Sequence, residues 1–504
     1  MRTAARPPGL TGPQTRGRVT SPGPRDLPGR RLGVRDAARP PEPAGPQTGG
    51  VTTVEVDPGV RLQAGPGGAL LVGGQPLRVL RLNPAAARVV ARWRDGAAAP
   101  VGPAETALAA RLHSYGLAVV RPDRSPHTPA DVTVVVPAHD RPESLDRCLA
   151  SLGAGPAGVV VVDDGSRDPA AVAAVAARQG AELIARPVNG GPAAARNTGL
   201  AAVRTPLVAF VDSDCRLPAG WLTDLLPVLA DGTAVVGPRI FGAGGPGALA
   251  RFEAGSGPLD LGGTASPVGP GARVGYMPAA VLLCRRDALG AGFDESMRVG
   301  EDVDLVWRVA EAGHPVRYEP RVVVEHETRP GFARWFAQRV GYGRSGAALA
   351  ARHPDRLAPV VISRWSAPAL LCLAAGRPVR AAACTALTAA GLWTRLPAGP
   401  GRTAESARLT AAGLGWTLLG LAEATARPWL PAMLAASTVS RTARRATAVA
   451  VAVRLVRTRH GRSPDQHPLA WAALRVADDL AYGTGVWAGA LREREPGPIL
   501  PRIT

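Results

Sequence analysis

Runs of β-branched and other apolar residues, each ending in a short polar motif, constrain the fold of this chain more than any other feature. Such runs occupy residues 132–136, 159–162 and 207–211, and Ala-rich segments with helical spacing separate them. Strands that are apolar on both faces are typical of parallel sheets covered by helices on both sides. The chain therefore predicts an α/β fold with a doubly wound, mostly parallel sheet. A ligand site is expected beyond the carboxyl ends of its strands.

The third apolar run ends in Asp212-Ser213-Asp214. Side chains two residues apart leave a strand on the same face, so Asp212 and Asp214 can point together into one pocket. Two convergent carboxylates suit a hard divalent cation such as Mg²⁺ or Mn²⁺, which is a natural clamp for a diphosphate. An isolated Asp-X-Asp is more often an ordinary Asp-rich turn, so the neighbouring motifs decide its interpretation.

Further polar motifs follow in order along the same part of the chain. They are Pro137-Ala138-His139-Asp140, Asp163-Asp164-Gly165-Ser166, Asn189-Gly190-Gly191 followed by Arg196-Asn197, and Gly300-Glu301-Asp302. A glycine pair before a helix leaves backbone N–H groups and the positive end of the helix dipole available for phosphate. His326 closes a later strand, where it can serve as a metal ligand, a hydrogen-bonded strand-end histidine or a phosphate donor.

This order of motifs resembles the family 2 glycosyltransferases of the GT-A fold, with a catalytic domain over residues 130–350. The resemblance implies an inverting, metal-dependent hexosyltransferase that uses a nucleotide-sugar donor. The nucleotide-sugar contacts that it implies are Pro137, Asp140, Asp163, Asp164, Asn189, Gly191, Arg196, Asn197 and Asp212. The implied ligands of Mg²⁺ or Mn²⁺ are Asp214, Asp212 and His326. On the acceptor side it implies Asp302 as the general base, with Glu301 beside it in the catalytic pair.

Residues 51–122 form a separate small domain in this interpretation. Strands are predicted over residues 54–62 and 69–72, and helices over residues 84–93 and 103–115. Asn83-Pro84 is a good start for the first helix and Gly116 a good end for the second. The outline is winged-helix-like and resembles the PqqD-like peptide-recognition domains, which implies a short precursor peptide or its maturation enzymes as partners. A packing domain without a ligand is the alternative.

The two ends of the chain are basic. Of the formal net charge of +19, residues 1–50 contribute nine arginines against three acidic residues, and residues 351–504 contribute 20 against eight. The almost neutral centre argues against a nucleic-acid groove there. Residues 1–50 are rich in Pro, Gly and Arg and predict a disordered tail. The five cysteines include no C-x-x-C pair and predict reduced thiols in a cytoplasmic protein.

The region 351–504 predicts apolar, basic helices. Its longest uncharged runs, 365–376, 381–394 and 409–422, are shorter than the roughly 20 residues that a membrane span needs. We therefore expect interfacial or mutually packed helices, with arginines that face anionic headgroups at the inner face of the cell membrane. True spans stay open if an arginine near a helix end snorkels. The arginines expected to face the headgroups are Arg441, Arg444, Arg445, Arg454, Arg457 and Arg459.

Residues 341–344, Gly-Tyr-Gly-Arg, predict a loop over the donor.

A peptide-recognition-like domain ahead of a family 2 transferase, with a basic apolar tail, is similar to the glycosyltransferases of mycofactocin systems. That resemblance implies transfer of glucose from UDP-glucose, in β-1,4 linkage, to a redox cofactor made from a ribosomal peptide. Two alternatives remain at this stage. One is a membrane-surface transferase that builds cell-envelope polysaccharide or glycolipid. The other is a non-catalytic peptide-binding scaffold, which the unbroken set of motifs disfavours.

Overall fold

The computed structural model describes residues 52–504, except 66, 75–76, 97, 123, 231, 329–330, 397–400 and 460–465. The predicted disordered tail at residues 1–50 lies outside the described residues.

The first described segment folds around a small core that includes Val54, Leu71 and Trp93. Its strands are β1 (Thr52–Val56), β2 (Arg61–Gly65), β3 (Gly68–Gly73), β4 (Arg78–Leu82) and β5 (Ala118–Pro122), and its helices are α1 (Pro84–Asp95) and α2 (Gly102–Ser114). Strands β2, β3 and β4 form an antiparallel meander, and β1 pairs with β5. The single strand predicted over residues 54–62 is wrong. A turn in which the Val60 N–H donates to the Asp57 carbonyl divides it.

The helix boundaries in this segment follow the expected capping chemistry. The Asn83 side chain accepts a hydrogen bond from the Ala86 N–H at 2.8 Å, and Pro84 occupies the first helical position. Gly116 has a φ of 63° just after α2, which is the left-handed conformation that ends a helix.

The central sheet provides the framework of the molecule. Its strands are β6 (Val132–Ala138), β7 (Gly158–Asp164), β8 (Glu182–Arg186), β9 (Leu207–Val211), β10 (Cys215–Arg216), β11 (Val235–Gly242), β12 (Ser266–Pro267), β13 (Val281–Arg285) and β14 (Val316–His326). The helices that accompany it are α3 (Pro142–Ser151), α4 (Pro169–Arg178), α5 (Pro192–Ala202), α6 (Trp221–Leu229), α7 (Ala248–Ser256) and α8 (Glu301–Glu311). The strand order is β10-β14-β11-β13-β9-β6-β7-β8, with β12 paired to β14.

This sheet combines a parallel half with a mixed half. Strands β8, β7, β6 and β9 are parallel, as the apolar runs predict. Beyond β9, strand β13 runs antiparallel to both of its neighbours, and β11 and β14 are parallel to each other. Separate apolar clusters that include Val134 and Val135 cover the two faces of the sheet. The fold is the α/β GT-A type with a mixed sheet, and the carboxyl ends of β6, β7 and β9 lie along one edge.

The C-terminal region is helical, as predicted. Its elements are α9 (Phe332–Arg352), β15 (Val361–Ile362), α10 (Ala367–Ala374), α11 (Pro378–Arg395), α12 (Arg402–Ala426), α13 (Leu430–Val439), α14 (Arg441–Arg459), α15 (Pro468–Glu493) and β16 (Arg502–Ile503). In the described part of the chain, none of the helices combines the length and the apolar character that crossing a membrane requires.

Helices α9 and α15 cross in very close contact. A Cβ atom on Gly343 would lie 2.1 Å from the Tyr482 carbonyl oxygen, and one on Gly485 would lie 2.1 Å from the Val340 carbonyl oxygen. The loop predicted over residues 341–344 is therefore wrong, because these residues continue α9. Their glycines permit backbone contact between two helices and do not form a turn.

The arginines of α14 divide into two groups. Arg441, Arg444 and Arg445 are exposed. Arg454 is buried at 7% exposure and donates two hydrogen bonds to Asp479 on α15, at 2.5 and 2.7 Å. Arg454 therefore does not face headgroups as predicted, because a carboxylate from the neighbouring helix holds it in the interior.

Candidate active site

A large cavity of about 1,460 Å³ opens at the carboxyl edge of the sheet. Most of the residues that the motifs single out meet in its wall. Those lining the cavity are Pro137, Asp140, Asp164, Asn189, Gly191, Arg196, Asp212, Asp214, Glu301, Asp302 and His326. They come from the ends of β6, β7, β9 and β14 and from the first turns of α5 and α8.

Asp164 at the end of β7 organises the glycine loop before α5. Its carboxylate accepts hydrogen bonds from the Gly190 N–H at 3.0 Å and the Gly191 N–H at 2.7 Å, and it pairs with Arg186. Gly191 has a φ of 90°, a conformation that favours glycine. Asp164 thus fixes the loop that carries Asn189 at the cavity wall.

Asp163 occupies a different environment from Asp164. Consecutive residues of a strand point to opposite faces, so only one member of this pair can face the cavity. Asp163 is 1% exposed, does not line the cavity, and accepts a hydrogen bond from the Ser166 N–H at 3.0 Å. It stabilises the turn, while Ser166 accepts a hydrogen bond from the Asp140 N–H.

Arg196 lies at the centre of the acidic residues. Its guanidinium donates to Glu301 Oε1 at 2.8 Å and to Asp212 Oδ1 at 2.6 Å, and its side chain is almost fully buried. Burial alone would lower the pKa of Arg196, but the Asp212 and Glu301 carboxylates outweigh burial and raise it. The arginine therefore stays charged and links the Asp-X-Asp segment to the first turn of α8.

Asp214 lies beside His326 because of the strand register. Cys215 of β10 pairs with His326 of β14, which places the imidazole next to the preceding aspartate. His326 Nε2 is 3.2 Å from Asp214 Oδ1, and Arg141 Nη1 is 3.2 Å from Asp214 Oδ2. One carboxylate thus contacts two nitrogen-bearing side chains at the cavity wall.

Glu301 and Asp302 begin α8, just after Gly300 in the left-handed conformation. Asp302 Oδ1 accepts from the Val303 N–H at 2.8 Å and Oδ2 accepts from the Ala279 N–H at 3.1 Å. Burial raises the pKa of Asp302 above its ordinary value, although Arg196 opposes the shift. Burial and the Asp302 charge raise the pKa of Glu301 to about 7. The Glu301 carboxyl is therefore poised to exchange a proton close to neutral pH.

Comparisons with known proteins place this site in a family. A family model for glycosyl transferase family 2 matches residues 133–256. A pre-mycofactocin glycosyltransferase of Mycobacterium tuberculosis is 41% identical over 467 residues, covering 89% of this chain and 97% of that protein. The chain belongs to the mycofactocin-system family 2 glycosyltransferases.

Two further proteins are similar to parts of this chain. The succinoglycan biosynthesis protein ExoU of Rhizobium meliloti is 34% identical over 200 residues, covering 37% of this chain and 58% of ExoU. Among solved structures, the mannosyltransferase PcManGT of Pyrobaculum calidifontis, in complex with GDP-Man and Mn²⁺, is 18% identical. That alignment has a TM-score of 0.37 and covers 71% of this chain and 87% of PcManGT.

Asn197 does not line the cavity. Its side chain accepts from the Phe293 N–H and donates to the Phe293 carbonyl, both at 2.8 Å. A Cβ atom on Gly292 would lie 2.4 Å from Asn197 Oδ1, so the glycine permits this close contact. Asn197 therefore holds the segment before α8, which determines where Glu301 and Asp302 lie.

Arg141 and Arg298 are cavity residues that the sequence analysis missed. Arg141 contacts Asp214, and Arg298 Nη1 donates to Asn189 Oδ1 at 3.1 Å. The position of Arg141, immediately after the polar end of β6, is a signal that could have found it. Arg298 lies in an irregular segment, where nothing local distinguishes it from a surface arginine.

The donor atoms of Asp214 and His326 suit a divalent cation such as Mg²⁺ or Mn²⁺. Among the described residues, no group of three or more His, Cys, Asp or Glu side chains could hold a metal ion by itself. Mg²⁺ and Mn²⁺ in nucleotide sites need only one or two protein ligands, because phosphate oxygens and water supply the others. Asp214 Oδ1 and His326 Nε2, at 3.2 Å, are close enough to share one cation. Asp212 is held by Arg196 instead.

Proposed function

We propose that this glycosyltransferase of the mycofactocin pathway inverts the configuration of the sugar that it transfers. The donor is UDP-glucose, the acceptor is a hydroxyl of mycofactocin or its precursor, and the product is β-1,4-linked oligoglucose. One observation carries the proposal: Arg196 joins Asp212 to Glu301 beside Asp302, within a single cavity. The cavity thus holds both the positive charge of Arg196, which can stabilise a leaving diphosphate, and Asp302, a base with a raised pKa.

The donor end of the cavity suits a nucleoside diphosphate. Pro137, Asp140 and the Asp164-supported loop line the side expected for the nucleoside. Arg196 supplies positive charge for the diphosphate, whereas the Gly190 and Gly191 N–H groups before α5 already donate to Asp164. Asp214 and His326 would hold Mg²⁺ or Mn²⁺, which offsets charge on the leaving group when bound.

Asp302 is the proposed general base. It takes the proton of the acceptor hydroxyl as that oxygen forms a bond to the anomeric carbon, and the bond from that carbon to the diphosphate oxygen breaks. One displacement inverts the anomeric configuration. Glu301 supports Asp302 without replacing it, because Arg196 occupies the Glu301 carboxylate.

The relationship to the Mycobacterium tuberculosis protein, which extends over 97% of that protein, favours this function over cell-envelope polysaccharide synthesis. Residues 51–122 remain a proposed site for a short precursor peptide or for maturation enzymes. A direct test offers the full chain a panel of sugar nucleotides with Mn²⁺ and each acceptor, and measures release of nucleoside diphosphate. We expect UDP-glucose with the mycofactocin precursor to be the preferred pair. A clear preference for a lipid-linked acceptor would contradict the proposal.

We expect kcat/KM to fall by about tenfold per pH unit below the raised pKa of Asp302, because only the carboxylate accepts a proton. In Asp212→Asn the acid limb should shift to lower pH, since the Asp212 charge that helps to raise the pKa of Asp302 is gone. A pH profile of UDP release from about pH 4 to pH 9 records the acid limb of each enzyme. A flat profile in the wild type, or an unmoved limb in the variant, would contradict the assignment.

Asp214→Asn should weaken Mn²⁺ binding in the presence of UDP by about 10–100-fold, because it removes an anionic ligand. Titration of free Mn²⁺ by electron paramagnetic resonance measures this affinity. Asp224→Asn, at an exposed carboxylate of α6, is the matched control and should bind Mn²⁺ like the wild type. Equal affinity in Asp214→Asn and the control would exclude Asp214 as a ligand.

A further inference from the structure

The cavity is larger than one donor molecule requires. Pockets for single small ligands have volumes of about 300–1,000 Å³, whereas this one has about 1,460 Å³. The additional space is bounded by helices α12, α14 and α15 of the C-terminal region. Residues of these helices and of the turn after α12 that line it are Glu423, Arg427, Arg454, Arg475, Asp478 and Tyr482.

Tyr276 connects this C-terminal wall to the proposed base. Its hydroxyl donates to the Pro258 carbonyl at 2.7 Å. Burial raises the pKa of Tyr276, and the charges of Arg427 and Asp302 both act on it, the first lowering it and the second raising it. Tyr276, Arg427 and Asp302 line the same cavity, so the C-terminal wall and the proposed base belong to one continuous space.

The charged groups of the wall are balanced in sign. Arg454 pairs with Asp479 and Glu423, and Arg475 pairs with Asp478. Arg427 is 3.8 Å from Asp479, whose carboxylate Arg454 already occupies. Three arginines thus face three carboxylates, the deeper Arg339 pairs with Asp478 and Glu253, and Arg457, which does not line the cavity, also pairs with Glu423. A wall of this kind has little net charge to attract an anion.

The wall still has unused hydrogen-bonding capacity. The Arg427 side chain is 30% exposed and lines the cavity, and its ion-pair partner Asp479 is 3.8 Å away, beyond hydrogen-bonding distance. The Arg427 guanidinium lies 4.1 Å from the centre of the Tyr482 ring. Free N–H donors, carboxylate acceptors and an aromatic ring suit a neutral ligand with many hydroxyl groups.

We propose that this C-terminal wall, centred on Arg427 and Tyr482, is an acceptor subsite that binds sugar units already attached to the acceptor. The proposal rests on the proposed function, since it assigns the donor and base residues to the opposite part of the same cavity. The ligand of this subsite is a neutral β-linked glucan. The enzyme would then hold a growing chain while the next sugar is added.

Binding of cello-oligosaccharides to the full chain tests the subsite without requiring turnover. In the presence of UDP and Mn²⁺, we expect cellotetraose to bind more tightly than cellobiose in calorimetric titrations. Arg427→Gln should weaken cellotetraose binding by about tenfold, through loss of one or two charged hydrogen bonds. Arg445→Gln, at an exposed arginine of α14, is the matched control and should bind cellotetraose normally.

Hydrogen exchange of the wild type provides a second test that needs no variant. Cellotetraose should slow exchange at least about threefold in peptides covering residues 423–428 and 475–486, since bound ligand opposes local opening. No binding of cellotetraose, or protection elsewhere only, would overturn the proposal. Protection of these peptides by inorganic phosphate in place of cellotetraose would overturn it too, because the wall would then recognise anions.

These results can be separated from failure of the proposed function. If cellotetraose binds at the wall but the enzyme does not transfer glucose from UDP-glucose, the subsite stands and the donor assignment fails. If transfer proceeds and cellotetraose does not bind at the wall, the donor assignment stands and the subsite fails.

Discussion

Asp302→Asn should lower kcat by about 1,000-fold, within the range of about 10²–10⁴ that a positioned general base supplies. The amide cannot accept the proton of the acceptor hydroxyl at neutral pH. Donor binding should survive, because the diphosphate and metal contacts assigned to Arg196, Asp214 and His326 remain in place. Titration of the variant with UDP and Mn²⁺ should give dissociation constants within about threefold of the wild type, a difference of less than 1 kcal/mol.

The size of this effect depends on Asp302 acting as a base and not as a structural cap. Its carboxylate accepts from two backbone N–H groups, and an amide can replace only one oxygen. Thermal unfolding therefore belongs in the same experiment, with Asp287→Asn at an exposed carboxylate as the control. If the variant is folded, binds UDP and still turns over at more than about a tenth of the wild-type rate, Asp302 is not the base.

Arg196→Met should lower the free energy of unfolding by about 3–5 kcal/mol at pH 7.5, the usual effect of leaving buried charges without their partner. The substitution keeps an unbranched side chain but leaves Asp212, Glu301 and Asp302 close together without a cation. Denaturant unfolding measures the change. Arg204→Met, at an exposed arginine just beyond α5, is the control and should change stability by less than about 0.5 kcal/mol.

The pH dependence of this loss gives a sharper test. Without Arg196 the folded-state pKa values of Glu301 and Asp302 rise further, so folding takes up protons as the pH falls. Stability of the variant should then increase as the pH is lowered from about 7.5 to about 5.5, and the gap to the wild type should narrow. A gap of the same size at both pH values would mean that lost packing causes the effect and not unbalanced charge.

The parallel half of the sheet could be predicted because its signal is local. Each apolar run is long enough to define a buried strand, and each polar end marks the edge where ligands bind. The mixed half was not predictable in the same way. Strand β13 is also apolar, and nothing in its composition tells whether it runs with or against β9. Strand direction in that half depends on the path of the connecting loops.

The residues of the site also differ in whether a local sequence signal identifies them. Asp212 and Asp214 both line the cavity, but they lie in the turn between β9 and β10, so the alternation of side chains along a strand does not place them. The Arg454–Asp479 pair joins residues 25 positions apart, and Glu405 contacts Arg61 and Gln63 more than 340 positions away. Such long-range pairs have no local sequence signal. For this reason Arg454 resembles a surface arginine in the sequence and is a buried one in the structure.

The most direct test of the central claim is the anomeric configuration of the transferred sugar. The full chain is incubated with UDP-glucose, Mn²⁺ and the mycofactocin precursor, and the product is analysed by mass spectrometry and proton NMR of its anomeric signal. The donor carries an α-linked glucose, so one displacement with Asp302 as the base predicts added hexose in β linkage. Absence of hexose transfer, or hexose in α linkage, would contradict the account.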